Sequence, residues 1–331
     1  MLGSDKNGRG RMLDGARCFI RNWMRVRKGE EVLIVSDEQH VEEALILSEA
    51  ALSSGGRALV ALMSSVLEEK ADFPAALLSA LEHADCVIAA THYSIATTPA
   101  RNFVLEKKRG RFLSLPMSSQ DGTSILASDF IYADLDDVKR MADAVAARLT
   151  EGCTVHAMTE LGTDVTFAID GRQGRSLYGL CEAPGSFASV SLEANIAPLE
   201  TKTEGIIYLD GTMGYDGPVT EPVRMVFKEG RAVEIEASAE GRRLSGVLEK
   251  VGDPKMFIPG ELGIGLNPKA FCLGRSYLED ESAYGTFHLG MGRNTTMGGV
   301  NAAKGHIDIV IKSPDIYVDD VMIMRRGELI I

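Results

Sequence analysis

The sequence predicts two domains: an α/β domain with a parallel sheet, followed by a mainly antiparallel β (α+β) domain. Three observations predict this fold class. Short apolar runs alternate with amphipathic stretches in the first 150 residues or so, the pattern changes sharply after that point, and 331 residues are enough for two hydrophobic cores. We place the boundary at Gly152, which gives domains of residues 1–152 and 153–331.

Continuous apolar runs in the first domain are typical of strands that are buried on both faces of a parallel sheet. The predicted strands are 31–37, 57–64, 85–93 and 111–116. Segments with helical spacing of apolar residues come before, between and after them. The predicted helices are 15–27, 41–56, 74–84, 98–110 and 135–152. Neither GxGxxG nor GxxxxGK[ST] occurs at the first turns, so the domain is Rossmann-like without a nucleotide motif.

The second domain reads as strand pairs joined by tight turns. The predicted strand-rich segments are 154–171, 205–213, 222–237 and 306–331, and their turn sequences are ELGT, KEG, SPD and RRG. Because short turns join antiparallel neighbours, we expect antiparallel sheets here.

Composition excludes several classes of function. A formal charge of −12, from 47 acidic and 35 basic residues, argues against a nucleic-acid or anionic-membrane surface. The five cysteines have neither CxxC nor paired spacing, which predicts no thiolate zinc site and no disulfide framework. No apolar stretch is long enough for a membrane span, and the N-terminus lacks a signal-peptide core. We therefore expect a cytoplasmic protein.

Two segments near the C-terminus carry the most chemical information. His306 and Asp308 are two residues apart in a predicted strand, so they lie on the same face, about 7 Å apart at Cα. His288 precedes them in GTFHLGMG. This spacing suits two ligands of one ion, and it predicts a metal site. Acidic residues in nearby strands and turns are further candidates: Glu193, Glu261 and Glu281.

The joint pattern resembles the M29 metallopeptidases, the aminopeptidase T family, over most of the chain. The segments that carry the resemblance are GTDVTF (162–167), LEANIAP (192–198), ELGIGLNP (261–268), DESAYGTFHLGMG (280–292) and GGVNAAKGHIDIVI (298–311). The resemblance implies two divalent ions, zinc, cobalt, manganese or magnesium. It also implies their ligands, with Glu261 as the bridge: Glu193, Glu261, His288, His306 and Asp308.

The same resemblance implies the catalytic residues. Glu281 corresponds to the family's candidate general base, although it stands farther from His288 than is usual there. The family's active-site tyrosine is replaced by residues 294–296, and Tyr284 is the candidate substitute. The function that follows is a dinuclear aminopeptidase in which a metal-bridging hydroxide attacks a small peptide. The family also implies a homodimer.

Two alternatives stay open. The chain is more distantly similar to the 2,5-dihydroxypyridine 5,6-dioxygenase group, in which a histidine takes the place of Glu261 and forms a 2-His-1-carboxylate iron site with the equivalents of His306 and Asp308. A ring-cleaving non-heme Fe(II) dioxygenase is therefore the first alternative. A catalytically divergent homologue is the second.

Overall fold

The computed structural model describes residues 6–63, 73–95, 99–106 and 110–331. Its α-helices are α1 (Lys6–Cys18), α2 (Val41–Ser53), α3 (Ala75–His83), α4 (Pro99–Glu106), α5 (Leu135–Glu151), α6 (Ala239–Lys250) and α7 (Tyr277–Ser282). A π-helical turn, Phe19–Trp23, follows α1. The 3₁₀ turns are Ile125–Ala127, Asp129–Tyr132, Gly214–Asp216, Pro254–Phe257 and Thr295–Met297.

Eighteen strands are assigned within the described ranges. In the first half of the chain they are β1 (Glu31–Asp37), β2 (Arg57–Met63), β3 (Cys86–Ala90), β4 (Arg111–Ser114), β5 (Thr154–Met158) and β6 (Asp164–Ala168). The middle part has β7 (Arg175–Leu177), β8 (Phe187–Ser189), β9 (Glu193–Ile196), β10 (Thr203–Leu209), β11 (Val223–Lys228) and β12 (Arg231–Ile235). The last part has β13 (Pro259–Gly265), β14 (Thr286–Gly292), β15 (His306–Lys312), β16 (Asp315–Val318), β17 (Val321–Arg325) and β18 (Glu328–Leu329).

The chain divides into two units. Unit 1 contains Met1–Leu135 and Tyr178–Val190, and unit 2 contains Asp136–Leu177 and Ser191–Ile331. The division differs from the predicted boundary at Gly152 in two ways. Helix α5 belongs almost entirely to unit 2, where Val145 and Leu149 join the hydrophobic core. The segment that contains β8 returns to unit 1, because β8 pairs with β4.

Unit 1 is built on a parallel sheet in the order β2-β1-β3-β4-β8. Strands β1, β3 and β4 are almost wholly buried, as their continuous apolar sequences predict. All four pairings in this sheet are parallel, and the helices α2, α3 and α4 fall between successive strands. The parallel sheet of the predicted fold class is therefore confirmed.

The helices of unit 1 differ from the sequence prediction in their bounds. The first helix begins at Lys6 rather than residue 15, and its last turn widens into the π-helical turn. Phe19, Ile20 and Trp23 of this turn are fully buried, and the Trp23 indole donates a hydrogen bond to the Ile131 carbonyl at 3.0 Å. The basic residues at the end of the predicted helix 98–110 lie outside the described residues.

Unit 2 contains two antiparallel sheets. An eight-stranded sheet has the order β12-β11-β10-β6-β5-β16-β17-β18, and a five-stranded sheet has the order β15-β14-β13-β9-β7. The predicted KEG turn joins β11 to β12, where Glu229 and Gly230 both have positive φ angles. A side chain at Gly230 would overlap the Glu200 carbonyl, so this turn requires glycine.

One hydrophobic core serves both sheets of unit 2. Phe167 and Ile207 come from the eight-stranded sheet, and Leu262 and Phe287 from the five-stranded sheet. Helices α5 and α6 contribute further residues: Ala142, Val145, Leu149, Leu244 and Leu248. One face of the five-stranded sheet thus packs in the hydrophobic core, and the opposite face can carry polar side chains.

No helix in the described part of the chain is long and apolar enough to cross a membrane. All five cysteines are free.

Candidate metal centre

The five-stranded sheet of unit 2 has two chemically distinct faces. Because side chains alternate along a strand, every second residue of β9, β13, β14 and β15 enters the hydrophobic core. These core residues are Ala194, Ile196, Leu262, Ile264, Phe287, Leu289, Met291, Ile309 and Ile311. The residues between them carry the other face. In order along the strands they are Glu193, Asn195, Glu261, Gly263, Gly265, His288, Gly290, Gly292, His306, Asp308 and the one apolar member, Val310.

Glycines on the polar face make room for the two imidazole rings. In the strand register, Gly263 lies opposite His288, and Gly290 lies between Glu261 and Asp308 on its two neighbouring strands. A Cβ atom added to Gly263 would overlap the His288 ring, and one added to Gly290 would overlap the His306 ring. The glycines therefore allow each imidazole to lie directly over the neighbouring strand.

All five predicted metal ligands fall into two overlapping donor groups. Glu193, Glu261 and His288 form one group, and Glu261, His306 and Asp308 form the other; within each group the donor atoms lie within 4.8 Å of one another. Glu261 belongs to both groups. We call the pair Glu193 and His288 the inner end, and the pair His306 and Asp308 the outer end.

The distances between donor atoms suit a shared cation. At the inner end His288 Nε2 lies 3.4 Å from Glu193 Oε2. At the outer end His306 Nε2 lies 3.1 Å from Glu261 Oε2 and 3.2 Å from Asp308 Oδ1. Nitrogen and carboxylate ligands that bind one ion at about 2.0–2.2 Å lie roughly 3 Å apart.

Neighbouring groups orient the donors at both ends. The Asn195 amide donates to Glu193 Oε1 at 2.7 Å and leaves Glu193 Oε2, a buried atom, without a hydrogen-bond partner. His306 Nδ1 lies 2.7 Å from the Arg293 carbonyl oxygen, which can only accept. With the proton assigned to Nδ1, the His306 Nε2 lone pair faces Glu261 and Asp308, as in metal-binding histidines.

Burial perturbs these groups strongly. It raises the pKa of Glu193 to about 7, and the nearby Glu261 carboxylate adds to the increase. For His306, burial acts to lower the pKa, but Asp308 and Glu261 outweigh it and raise the pKa well above its usual value. A bound divalent cation would neutralise the clustered carboxylates and would take the place of the second proton that they favour on His306.

The chemistry of the donors limits the choice of metal. Three carboxylates and two imidazoles with no thiolate suit zinc, manganese, iron, cobalt or magnesium rather than a soft ion. The unpartnered oxygen of Glu193 and the Nε2 atoms of the two imidazoles that lie over the glycines are the features that a cation would use. The residues therefore fit a divalent metal.

Glu281 lies beside the donor groups. It is buried near the end of α7, and its carboxylate accepts a hydrogen bond from the Ser191 hydroxyl. A hydrogen bond also links it to Asp308. Burial, followed by repulsion from Asp308 and Glu193, raises the pKa of Glu281 well above its usual value. Its position at the donor groups suits a group that holds or moves a proton.

The structure places Tyr284 differently from the sequence prediction. Its hydroxyl oxygen accepts a hydrogen bond from the Leu329 amide at 3.0 Å, so the hydroxyl is engaged with β18 of the eight-stranded sheet. Tyr277 is the tyrosine that lies near the donor groups, with Glu281 and Asp308 as charged neighbours. Sequence reasoning missed it. Its spacing of one helical turn from Glu281 was the available signal.

The β-rich unit, in a chain that also has a parallel α/β unit, thus carries a candidate metal centre made of carboxylates and imidazoles. Residues 20–331 match the family described as NicX, 2,5-dihydroxypyridine 5,6-dioxygenase. Because the match covers most of the chain, the protein belongs to this family.

Individual relatives are distant. A 2,5-dihydroxypyridine 5,6-dioxygenase of Pseudomonas putida is 23% identical over 207 residues, which is 59% of this chain and 59% of that protein. The chain thus matches less than two thirds of this relative's length.

Two solved structures share the fold. The 2,5-dihydroxypyridine dioxygenase from Pseudomonas putida KT2440 has a TM-score of 0.80 and 19% identity, with 97% of both chains covered. AmpT from Thermus thermophilus has a TM-score of 0.68 and 17% identity, with 97% of this chain and 99% of that chain covered. The predicted fold class and the fold relationship to the M29 family are therefore confirmed, and the dioxygenase relationship is closer than the sequence analysis expected.

Proposed function

We propose that this protein is a metal-dependent ring-cleaving dioxygenase that acts on a small hydroxylated aromatic or N-heteroaromatic compound. Glu261, His306 and Asp308 are its proposed metal ligands. The observation that carries the proposal is the family match over residues 20–331. The same chain has three residues at the outer end of the donor cluster, Glu261, His306 and Asp308, that could hold a metal ion. The peptidase function expected from the sequence becomes the second candidate.

The outer end is the part of the centre where a substrate has access. The side chains of His306 and Asp308 are 22% and 16% exposed, whereas those of Glu193 and His288 are 5% and 1% exposed. A substrate therefore approaches an ion at the outer triad from the side of β15. The inner pair is shielded by the protein.

The proposed triad has one imidazole and two carboxylates. Non-heme iron oxygenases commonly use two imidazoles and one carboxylate, so Glu261 adds one negative charge to the usual ligand set. A ferrous ion bound there would supply the redox chemistry that allows dioxygen to react with a ring. Both atoms of dioxygen are incorporated when the ring opens, so the overall reaction needs no external reductant.

The protein's own groups have definite tasks in this proposal. The Arg293 carbonyl fixes the orientation of His306, so the imidazole is held before any ligand binds. Glu281 lies within hydrogen-bonding reach of Asp308 and can exchange a proton with a ring hydroxyl group of the substrate. Proton transfer by a positioned carboxylate typically contributes about 10² to 10⁴ in rate.

One specific observation favours the second candidate, a two-metal aminopeptidase. Glu261 belongs to both donor groups, and a carboxylate that bridges two ions about 3.5–4 Å apart is a common feature of hydrolytic centres. Such a centre would activate a water molecule against the carbonyl of a small peptide, with Glu281 as the proton carrier.

Paired activity assays separate the two candidates. Protein reconstituted anaerobically with ferrous iron is expected to consume dioxygen with 2,5-dihydroxypyridine or a related hydroxypyridine, and His306→Ala is expected to abolish the uptake. Protein loaded with zinc, cobalt or manganese is tested in parallel on unblocked di- to tetrapeptides, with the N-acetylated peptides as controls. Amine-dependent release of the first residue without oxygen uptake would overturn the dioxygenase proposal.

A further inference from the structure

Two tyrosines from distant parts of the chain meet at the outer end of the metal centre. The rings of Tyr215 and Tyr277 have centroids 4.4 Å apart and are tilted by 49°. Tyr215 lies in the 3₁₀ turn Gly214–Asp216, and Tyr277 is the first residue of α7. Neither residue has a role in the candidate metal set, so the reason for their meeting lies elsewhere.

The turn that carries Tyr215 is attached to the edge of the metal-binding sheet. The Val310 amide donates to the Thr212 carbonyl at 3.0 Å, and Met213 forms an antiparallel bridge with Ile309. A Cβ atom on the next residue, Gly214, would lie 3.5 Å from the Asp308 carbonyl oxygen. The backbone before Tyr215 therefore runs along β15 at the level of the outer ligands.

Helix α7 brings Tyr277 to the same place. Tyr277 and Glu281 are four residues apart, so they share one face of the helix. Glu281 is linked to Asp308 by a hydrogen bond. The Tyr277 hydroxyl is hydrogen-bonded to Tyr215 and has Glu281 and Asp308 as its charged neighbours.

The exposure of the pair distinguishes it from ordinary core packing. Tyr215 is 48% exposed, Tyr277 is partly buried, and Glu281 is buried. The three residues thus form a path from solvent to the outer ligands. An aromatic pair that only fills space would be surrounded by apolar side chains, whereas this pair adjoins two carboxylates of the site.

We propose that Tyr215 and Tyr277 form a substrate-binding wall that stacks a planar aromatic ring and holds it at the outer metal ligands. The Tyr277 hydroxyl hydrogen-bonds an oxygen substituent of that ring. This inference rests on the proposed function, because it names planar hydroxylated rings as the substrate class. Aromatic rings prefer offset or edge-to-face contact, and one such contact changes affinity by about 2- to 10-fold.

Calorimetric titration of the zinc-loaded protein with 2,5-dihydroxypyridine under anaerobic conditions tests the wall without turnover. Tyr215→Leu is expected to raise the Kd about 3- to 10-fold, and Tyr277→Phe, which keeps the ring, about 3-fold or more through loss of the hydroxyl. Tyr317→Phe on β16, in the other sheet of unit 2, is the matched control and is expected to leave the Kd unchanged. Metal content and melting temperature are measured for every variant.

A saturated ring provides a second control. A hydroxylated piperidine, which cannot stack, is expected to bind the wild type more weakly and to respond less to Tyr215→Leu. An unchanged Kd for the aromatic ring in both Tyr215→Leu and Tyr277→Phe would overturn the inference, as would a wild type that does not bind the ring. Because Tyr215 is exposed, its variant keeps the test valid even where a change at Tyr277 disturbs folding.

Steady-state kinetics of oxygen uptake test the substrate-binding wall and the proposed function separately. With ferrous iron, Tyr215→Leu is expected to raise KM for the ring with a smaller change in kcat. Ring binding that depends on the two tyrosines, without oxygen uptake, would contradict the dioxygenase proposal but support the substrate-binding wall. Oxygen uptake with an unchanged KM in Tyr215→Leu would support the dioxygenase proposal but contradict the wall.

Discussion

The two ends of the metal centre use the same chemical groups in different surroundings. Each end has a carboxylate and an imidazole, each shares Glu261, and each imidazole lies over a glycine. The inner end is almost wholly buried, whereas the outer end is partly open. One face of a sheet can therefore hold a shielded ligand pair and an accessible one that share a single carboxylate.

The largest expected effect is loss of metal and activity at the outer end. His306→Ala and Asp308→Ala each remove one ligand from an otherwise intact sheet, so we expect metal content to fall sharply and activity to become undetectable. Elemental analysis of protein purified without chelator measures the first, and circular dichroism checks the fold. Unchanged metal content in both variants would show that the outer end is not the metal site.

Glycine replacements test the difference in burial between the two ends. Gly263→Ala forces the buried His288 ring to move, so we expect a loss of about 1–3 kcal/mol in the free energy of unfolding. Gly290→Ala displaces the more exposed His306, and we expect lost metal binding with a smaller loss of stability. Gly246→Ala in helix α6 is the control, because Gly246 is exposed and no atom lies within 4 Å of the added Cβ. Equal destabilisation at 263 and 290 would contradict the comparison.

Two glutamate variants test whether Glu261 is central. We expect Glu261→Gln to lower the metal content more than Glu193→Gln does, because only Glu261 contributes to both donor groups. In the proposed mononuclear centre, Glu193→Gln leaves about one ion per chain. Mass spectrometry under native conditions counts the ions directly. An equal loss of metal content in Glu261→Gln and Glu193→Gln would show that Glu261 is no more important to metal binding than Glu193.

The smallest effect concerns a carboxylate outside both ends. Glu200 accepts hydrogen bonds from Arg172, Asn294 and Val300, at 2.6, 2.9 and 2.7 Å. Burial acts to raise its pKa, but the bonds from Val300 and Asn294 outweigh it and lower the pKa. A lowered folded-state pKa gives stability that is present above the unfolded value and is lost as pH falls.

We therefore expect Glu200→Gln to cost about 1–2 kcal/mol at pH 7, and less at a pH below the folded-state pKa of Glu200. Chemical denaturation at pH 7 and at progressively lower pH measures the difference. Metal content at pH 7 is expected to stay at the wild-type level. A cost that does not change with pH would contradict the assignment to the Glu200 carboxylate.

The sequence predicted those parts of the fold that local patterns determine. Continuous apolar runs identified β1 and β3, and the turn sequence KEG identified the hairpin of β11 and β12. Strand β8 was missed because three residues carry no periodicity, and it joins β4 across more than 70 residues of chain. The first helix was placed too late, because the residues from Lys6 to Asp14 carry little apolar patterning.

The candidate site shows the same limit. Alternation along single strands placed His306 and Asp308 on one face, and the family resemblance brought in the other ligands. Which residues face one another across strands depends on register, so the pairing of Gly290 with Glu261 and Asp308 was not visible. Tyr284 was the candidate substitute for the family's active-site tyrosine, but its hydroxyl reaches β18, and Tyr277 is the tyrosine that lies by the ligands.

Anomalous scattering at the iron and zinc absorption edges, from crystals of protein purified without chelator, distinguishes a mononuclear iron centre from a dinuclear one. We expect one ion, identified as iron, bound by Glu261, His306 and Asp308. Two ions bridged by Glu261, with Glu193 and His288 binding the second, would contradict the mononuclear oxygenase centre and support the hydrolytic one.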